Sequence, residues 1–196
     1  MKKMLALLLT LCLLAGMVPL GAGAEEGGVA QVEGGSTYST LAEAVQAVID
    51  SENKTGTVKL LKSTSGSGIG LFEKKGATEV DLTIDFGGYT YTCNDPAVGS
   101  TGTESQGFHL EKGNTVTLKN GAIDVADNSQ STQMLIQNYC DLTLENLNLH
   151  GASATRYIIS SNYGDMTLSN VSISGENTEL VGIDLMHWLG TTYENK

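Results

Sequence analysis

Three segments of this chain repeat one pattern: TVTLKNGAI from Thr115, DLTLENLNL from Asp141 and DMTLSNVSI from Asp165. Aligned on Val116, Leu142 and Met166, they stand 26 and 24 residues apart. A period of that size marks a solenoid, in which one unit cannot bury its own apolar face and has to stack on the next. Inside each unit the apolar residues alternate with period two, which indicates strands. In the unit from Asp141, Leu142, Leu144, Leu147 and Leu149 point one way; Thr143, Glu145, Asn148 and His150 point the other. The phase changes at Asn146, and its equivalents are Asn120 and Asn170. Asparagine tolerates left-handed backbone angles, so one residue can turn the strand. Stacked windings bring these three structural asparagines about 4.8 Å apart, within reach of an amide ladder.

A further strand precedes each of these. QGFHLEKG from Gln106, QMLIQNYC from Gln133 and RYIISSNYG from Arg156 are expected to occupy the same place. Asn138-Tyr139-Cys140-Asp141 matches Asn162-Tyr163-Gly164-Asp165; Gly164 implies positive φ there, with Asn114 as the equivalent in the earlier unit. Each turn then holds three short strands, two tight corners and one variable loop, and successive turns build three parallel sheets. The segment from Gly68 to Thr92 fits with a longer corner at Lys75 to Thr78, Val58 to Leu61 gives a first partial strand, and Thr178 to Trp188 begins a last coil. The fold class expected is all-β, a parallel β-helix with an N-terminal capping helix.

That helix is legible. Thr40 is a good N-cap, Glu43 completes a capping box, and Leu41, Val45, Val48 and Ile49 share one helical face. An open solenoid end exposes apolar side chains and unpaired edges, which such a helix would plug. No comparable cap is readable at the other end, where Trp188 and Leu189 close it poorly. The C-terminal edge is therefore expected to continue in further chain or to associate end to end with another copy.

The first 24 residues read as a secretory signal: Lys2 and Lys3, an apolar run from Met4 to about Met17, and Ala22-Gly23-Ala24 as a small-x-small cleavage site. The run is short for a membrane span, which needs roughly 20 apolar residues. Cleavage leaves residues 25–53 as the strand-and-helix cap and 54–196 as the β-helix. The signal holds two lysines and no acid, so the chain's formal charge of −11 becomes −13 once it is removed. Such a surface repels phosphate backbones and anionic lipid, which disfavours nucleic acid and bare membrane as partners. The expected location is secreted or cell-surface. Cys93 and Cys140 fall at non-equivalent places in the repeat, which argues for free thiols over a disulfide.

YSTLAEAVQAVID, TVKLL, VDLTIDFGGYTYT and NTVTLKNGAI resemble the right-handed parallel β-helix of the pectin-lyase-like superfamily, of the kind that Gram-positive gut bacteria export. The resemblance covers roughly Tyr38 to Ser174. It implies the fold; for activity it spans lyases, glycosidases, esterases and non-catalytic surface proteins. Pectate lyases of that fold use acidic residues to hold calcium and a basic side chain, usually arginine, to remove a proton beside a carboxylate. The single arginine here, Arg156, lies in the short loop Gly151 to Arg156 without a lyase motif around it. Polygalacturonase-like enzymes need clustered aspartates, and this chain has no Asp-Asp pair.

Other constellations are thin. His109 and His150 fall on outward strand positions in different sheets and His187 near the end, without metal-ligand spacing. Asp81, Asp141 and Asp165 form a corner column interrupted by Thr115, and Asp141 with Asp165 is the candidate calcium pair. Thr83, Thr117, Thr143 and Thr167 align outward, as suits threonine on a solvated strand face. His109, Leu135 and Ile159 are read as a second outward column, sticky unless the loop from Thr92 to Gln106 covers it. Tyr139 and Tyr163 repeat one corner, with Asn138 and Asn162 beside them; rigid tyrosines can stack on sugar rings while their hydroxyls bond. With Arg156 these are the candidate ligand-binding residues. The loops after the third strand shorten along the chain and carry Asp95, Glu104, Asp127, Glu176 and Glu179. An acidic edge opposes polyuronate and suits neutral glycan or protein.

These residues point to a non-catalytic exported β-helix, adhesin-like, that binds glycan or host or cell-wall material, with calcium as the one candidate cofactor. A polysaccharide lyase or other carbohydrate-active enzyme is the alternative, and a structural spacer within a larger surface protein is the third reading.

Overall fold

A computed structural model describes residues 27–72 and 79–186. The signal-like leader, the corner expected at Lys75 to Thr78 and the segment holding His187, Trp188 and Leu189 lie outside the described residues. In chain order the elements are β1 (Ala30–Val32), β2 (Thr37–Tyr38), α1 (Leu41–Ile49), β3 (Thr55–Leu60), β4 (Thr64–Gly66), β5 (Ile69–Leu71), β6 (Asp81–Asp85) and β7 (Thr90–Cys93). They continue with β8 (Gln106–Leu110), β9 (Thr115–Val125), β10 (Met134–Asn138), β11 (Asp141–Gly151), β12 (Tyr157–Ser161), β13 (Met166–Gly175) and β14 (Val181–Leu185). Together they form a parallel β-solenoid of about five turns.

Two hydrogen-bonded sheets carry three faces. One runs β13-β11-β9-β6-β3 and the other β14-β12-β10-β8-β5. The first sheet bends because β9, β11 and β13 each pass through an asparagine in the left-handed region: Asn120 at φ 61°, Asn146 at 52° and Asn170 at 52°. Beyond the bend, β7 and β4 continue the second face. The corner needs no loop, and Gly121 follows Asn120 where a Cβ would come within 2.5 Å of the Tyr89 carbonyl oxygen.

Each Asn side chain bonds to the one before it. Asn170 Nδ2 donates to Asn146 Oδ1 at 3.0 Å, and Asn146 Nδ2 donates to Asn120 Oδ1 at 3.3 Å. Repeated letters thus become vertical neighbours. Val58, Ile84, Leu118, Leu144 and Leu168 pair in succession along one interior column. Tyr91, Ile123, Leu149 and Ile173 form another. Outside, Thr57, Thr83, Thr117, Thr143 and Thr167 align, one rung more than the sequence suggests. Beside them Lys59, Asp85, Lys119 and Glu145 alternate in sign, so no like charges lie directly opposite.

The N-terminal end is closed as expected. Thr40 Oγ1 accepts from the Glu43 amide at 3.1 Å, and the Glu43 carboxylate accepts from the Thr40 amide at 3.0 Å. Helix α1 buries Leu41, Ala44, Val45 and Val48. The sequence did not disclose that β1 pairs antiparallel with both β3 and β2. This reversal finishes the parallel stack in a two-residue strand, a blunt edge that resists further pairing.

The register of the third face corrects one expectation. Gln106 pairs with Met134, and Met134 with Tyr157, one residue later than matching on Gln106, Gln133 and Arg156 implies. The outward column is His109, Gln137, Ser160 and Asp184. Leu135 and Ile159 are wholly buried and belong to the apolar core, so the sticky stripe does not exist. A slip of one residue turns a strand's faces over, and the two adjacent apolar residues in both Leu135-Ile136 and Ile158-Ile159 hide the true phase.

Candidate functional site

The corner between the third face and the next turn varies in length. Leu110, Asn138 and Ser161 share one level. Thr115 and Asp141 share the level where the next strands begin, and Asp165 follows on it because Leu142 pairs with Met166. Between these levels four residues intervene in the first corner, two in the second and three in the third. The shortened middle corner lies between two that project further. The result is a recess of about 220 Å³. Glu79, Lys112 and Gly113 line one side, Tyr139, Cys140 and Asp141 the floor, and Tyr163 the other side.

Both tyrosines line this recess, but not as one column. Tyr139 is level with Glu111 and Asn162, and Tyr163 lies one residue further on. The match at Asn138 and Asn162 is therefore offset by one residue, although Asp141 and Asp165 do stack. Lys112 reaches across: its Nζ lies 4.6 Å from the centre of the Tyr163 ring, a cation–π contact over one ring face. The Tyr139 hydroxyl accepts from Gln137 Nε2 at 3.0 Å and bonds to the Asn162 side chain. Burial pushes the Tyr139 phenol above its ordinary range.

The neighbouring asparagines do different work from that expected. Asn138 is fully buried. Its Nδ2 donates to the Cys140 carbonyl at 3.0 Å and to Ser161 Oγ at 3.2 Å, and its Oδ1 accepts from the Cys140 amide at 3.1 Å. It shapes the two-residue corner from inside. Asn162 is likewise buried, behind Tyr139. Asn114 is level with Gly164, yet the positive φ of the earlier corner belongs to Gly113, at 88°. Asn114 instead accepts from the Val80 amide at 3.1 Å and donates to the Glu111 carbonyl at 2.8 Å.

Arg156 is not part of this site. It is exposed and precedes β12, whereas Tyr163 follows that strand. Five strand residues separate the two ends by roughly 17 Å. His109 is not a surface histidine either. It is 2% exposed, its ring stacks on Phe72 with centroids 5.4 Å apart, Tyr139 lies 5.9 Å away, and Nε2 meets Glu111 Oε1 at 2.7 Å. It supports Tyr139 from behind.

The calcium pair is held in a different way. Asp141 Oδ1 accepts the Asp165 amide at 3.0 Å, which spends one carboxylate oxygen on the corner itself. Thr115 separates Asp141 from Asp81. Among the described residues, no three His, Cys, Asp or Glu side chains converge as a metal site would require. Cys93 and Cys140 are buried free thiols. Burial pushes the Cys93 thiol far up and the Cys140 thiol up to about 12, so neither is a nucleophile at neutral pH.

On the loop edge, Asp95 is a clamp. It accepts from Ser129 Oγ at 2.7 Å, from Ser131 Oγ and from the Gln130 amide at 3.2 Å, tying the loop after β7 to the loop after β9. The Ser131 and Ser129 hydroxyls hold its carboxyl below the usual range.

Sequence reasoning found the two tyrosines and missed Lys112 and Glu79. Counting residues between the equivalent levels of successive corners is the signal that would have revealed the recess. No helix among the described residues is long and apolar enough to cross a membrane. Comparison of the chain with protein-family models, with curated proteins and with solved structures returned no match.

Proposed function

We propose that the protein is a non-catalytic exported β-helix, adhesin-like, that holds an extracellular glycan in the corner recess. The observation that carries this is the recess itself, about 220 Å³ and bordered by two tyrosines. That is room for about one sugar ring, below the roughly 300–1,000 Å³ of pockets that enclose drug-sized ligands. A pyranose presents C–H faces to an aromatic ring and hydroxyls to its rim. Glu79 and Asp141 supply acceptors around those rings. The two carboxylates and the acidic chain disfavour uronates, so the glycan is neutral. Because Lys112 covers one face of Tyr163, stacking on that face requires the lysine to swing aside.

The finer family reading, a right-handed helix of the pectin-lyase-like superfamily, rests on the resemblance of the strand and cap motifs. Export rests on the leader. The alternative, a lyase or hydrolase, is supported by the carboxylates that border the recess.

A glycan array followed by calorimetry tests the proposal. The expected result is binding of neutral glycans that weakens at least about tenfold in Tyr139→Ala and Tyr163→Ala while both variants keep the parent's circular dichroism. Lys112→Ala is expected to bind neutral glycans as tightly or more tightly. Absence of binding across the array overturns the reading, and release of unsaturated uronate or reducing ends replaces it with the enzymatic one.

A further inference from the structure

The aromatic lining of the recess does not stop at Tyr139. A row of rings continues from it toward the N-terminal turns. The His109 ring lies 5.9 Å from Tyr139 and 5.4 Å from Phe72, the second contact stacked with the planes 25° apart. His109 is buried, but Phe72 is 48% exposed. One face of the Phe72 ring rests on His109, so the opposite face is the one open to solvent. Gly70 makes room for this placement, because a Cβ there would run into the Phe72 ring. A single exposed apolar side chain is ordinary; this one differs in being held flat on a support, at a fixed distance from the recess.

That distance follows from the register. Leu71 pairs with Leu110, and Leu110 with Asn138. The bonds continue one residue further, from the Glu111 amide to the Leu71 carbonyl and from the Tyr139 amide to the Leu110 carbonyl, both at 2.8 Å. Phe72, Glu111 and Tyr139 are therefore successive rungs of one corner column. Adjacent rungs lie about 4.8 Å apart, which sets the two aromatic residues roughly 10 Å apart along the solenoid axis. Between them Glu111 Oε1 meets His109 Nε2 at 2.7 Å, which fixes an acceptor-only carboxylate at the middle rung. His109 Nδ1 is buried with no hydrogen-bond partner among the described residues, so the imidazole is held by Glu111 and by the two rings against it.

We infer that the recess is one end of a longer site, whose ligand is a neutral oligosaccharide of three or more pyranose units lying along the solenoid axis from Tyr163 to Phe72. This rests on the reading of the recess as a glycan site. An extended pyranose chain advances by about one strand spacing per unit, so its sugars keep step with the rungs. One unit occupies the recess. The next pass over Tyr139 and Glu111, whose carboxylate accepts from their hydroxyls, and the last lays a C–H face on Phe72. The two-rung interval between the aromatic platforms suits chains whose alternate units present the same face, as β-1,4-linked ones do.

Titration with cello-, manno- and xylo-oligosaccharides of one to six units, by calorimetry and for weak ligands by NMR, tests this. For at least one series, affinity is expected to rise about tenfold or more from monosaccharide to tetrasaccharide and to level off beyond it. Phe72→Ala and Phe72→Leu are expected to remove that gain and leave monosaccharide binding unchanged. The leucine keeps an apolar cover over His109 without the flat ring; Phe72→Tyr keeps the ring and is expected to retain the gain. Affinity independent of length, or a tetrasaccharide bound as tightly by Phe72→Leu as by the parent, overturns the inference. Monosaccharide binding that still weakens in Tyr139→Ala then leaves the single-sugar recess standing. Absence of binding by all three series overturns the inference too, while the glycan array decides the recess itself.

Discussion

Asn120 Nδ2 donates to the Asp85 carboxylate at 3.2 Å, so the ladder of corner asparagines starts on an anion. Asp85 Oδ1 also accepts the Gly87 amide at 2.9 Å, which fixes the carboxylate in place. With an acceptor-only group at its base, every amide above it must turn its NH₂ downward and its oxygen upward. The direction of the ladder is therefore set by one residue.

The corner asparagines combine a left-handed backbone with side-chain bonds to both neighbours, and the two contributions can be separated. Asn146→Ala removes the ladder bonds and imposes the left-handed penalty, for a total of about 2–4 kcal/mol. Asn146→Gly removes the bonds but tolerates the backbone, and is expected to cost about 1–2 kcal/mol. Urea unfolding of both variants checks the order; an alanine no worse than glycine would contradict the φ of 52°.

Inside and outside differ sharply on a single strand. Leu144 is fully buried and Thr143 beside it is half-buried on the solvent face. Leu144→Ala should cost roughly 2–5 kcal/mol through the cavity left behind. Thr143→Ala should cost well under about 1 kcal/mol. Denaturant midpoints measure both, and the reverse order would place the wrong face inward.

The Asp95 clamp carries a pH signature. Its folded carboxyl titrates below the usual range because Ser131 and Ser129 donate to it. A lowered folded value means stability present above the unfolded carboxylate pKa and lost as pH falls through the folded one. The parent is therefore expected to be more stable than Asp95→Asn near neutral pH, and the gap is expected to close on acidification. A melting-temperature difference that is constant from neutral pH down to about pH 3, below the unfolded value, would show that the carboxylate is not what holds the two loops.

The thiols offer a check on the core. Cys93 and Cys140 are buried and free, with Cys140 pushed up to about 12. A thiol reagent at mildly alkaline pH should leave both unmodified in the folded protein and label both in denaturant. Fast labelling of Cys140 without denaturant would mean that the two-residue corner opens readily.

A single glycine decides the third corner. Gly164 has φ 80°, and a Cβ there would run into the Cys140 carbonyl. Gly164→Ala is expected to destabilise by about 1–3 kcal/mol and to loosen the recess wall that carries Tyr163, read as lower stability together with weaker glycan binding.

The amino-acid sequence alone determined the stacked windings, the interior leucine columns, the asparagine corners and the capping helix. Each follows from local pattern: alternation every two residues, a repeat near 25, and a capping box whose partners are three residues apart. Such signals survive because neighbours in the chain generate them. The recess, the burial of His109 and Asn138, the offset of Tyr163 from Tyr139 and the reach of Lys112 were decided only by tertiary structure. They depend on how corners of four, two and three residues lie over one another. That difference in length has no local signature. It becomes a shape only when strands more than 20 residues apart in the chain are brought within about 5 Å.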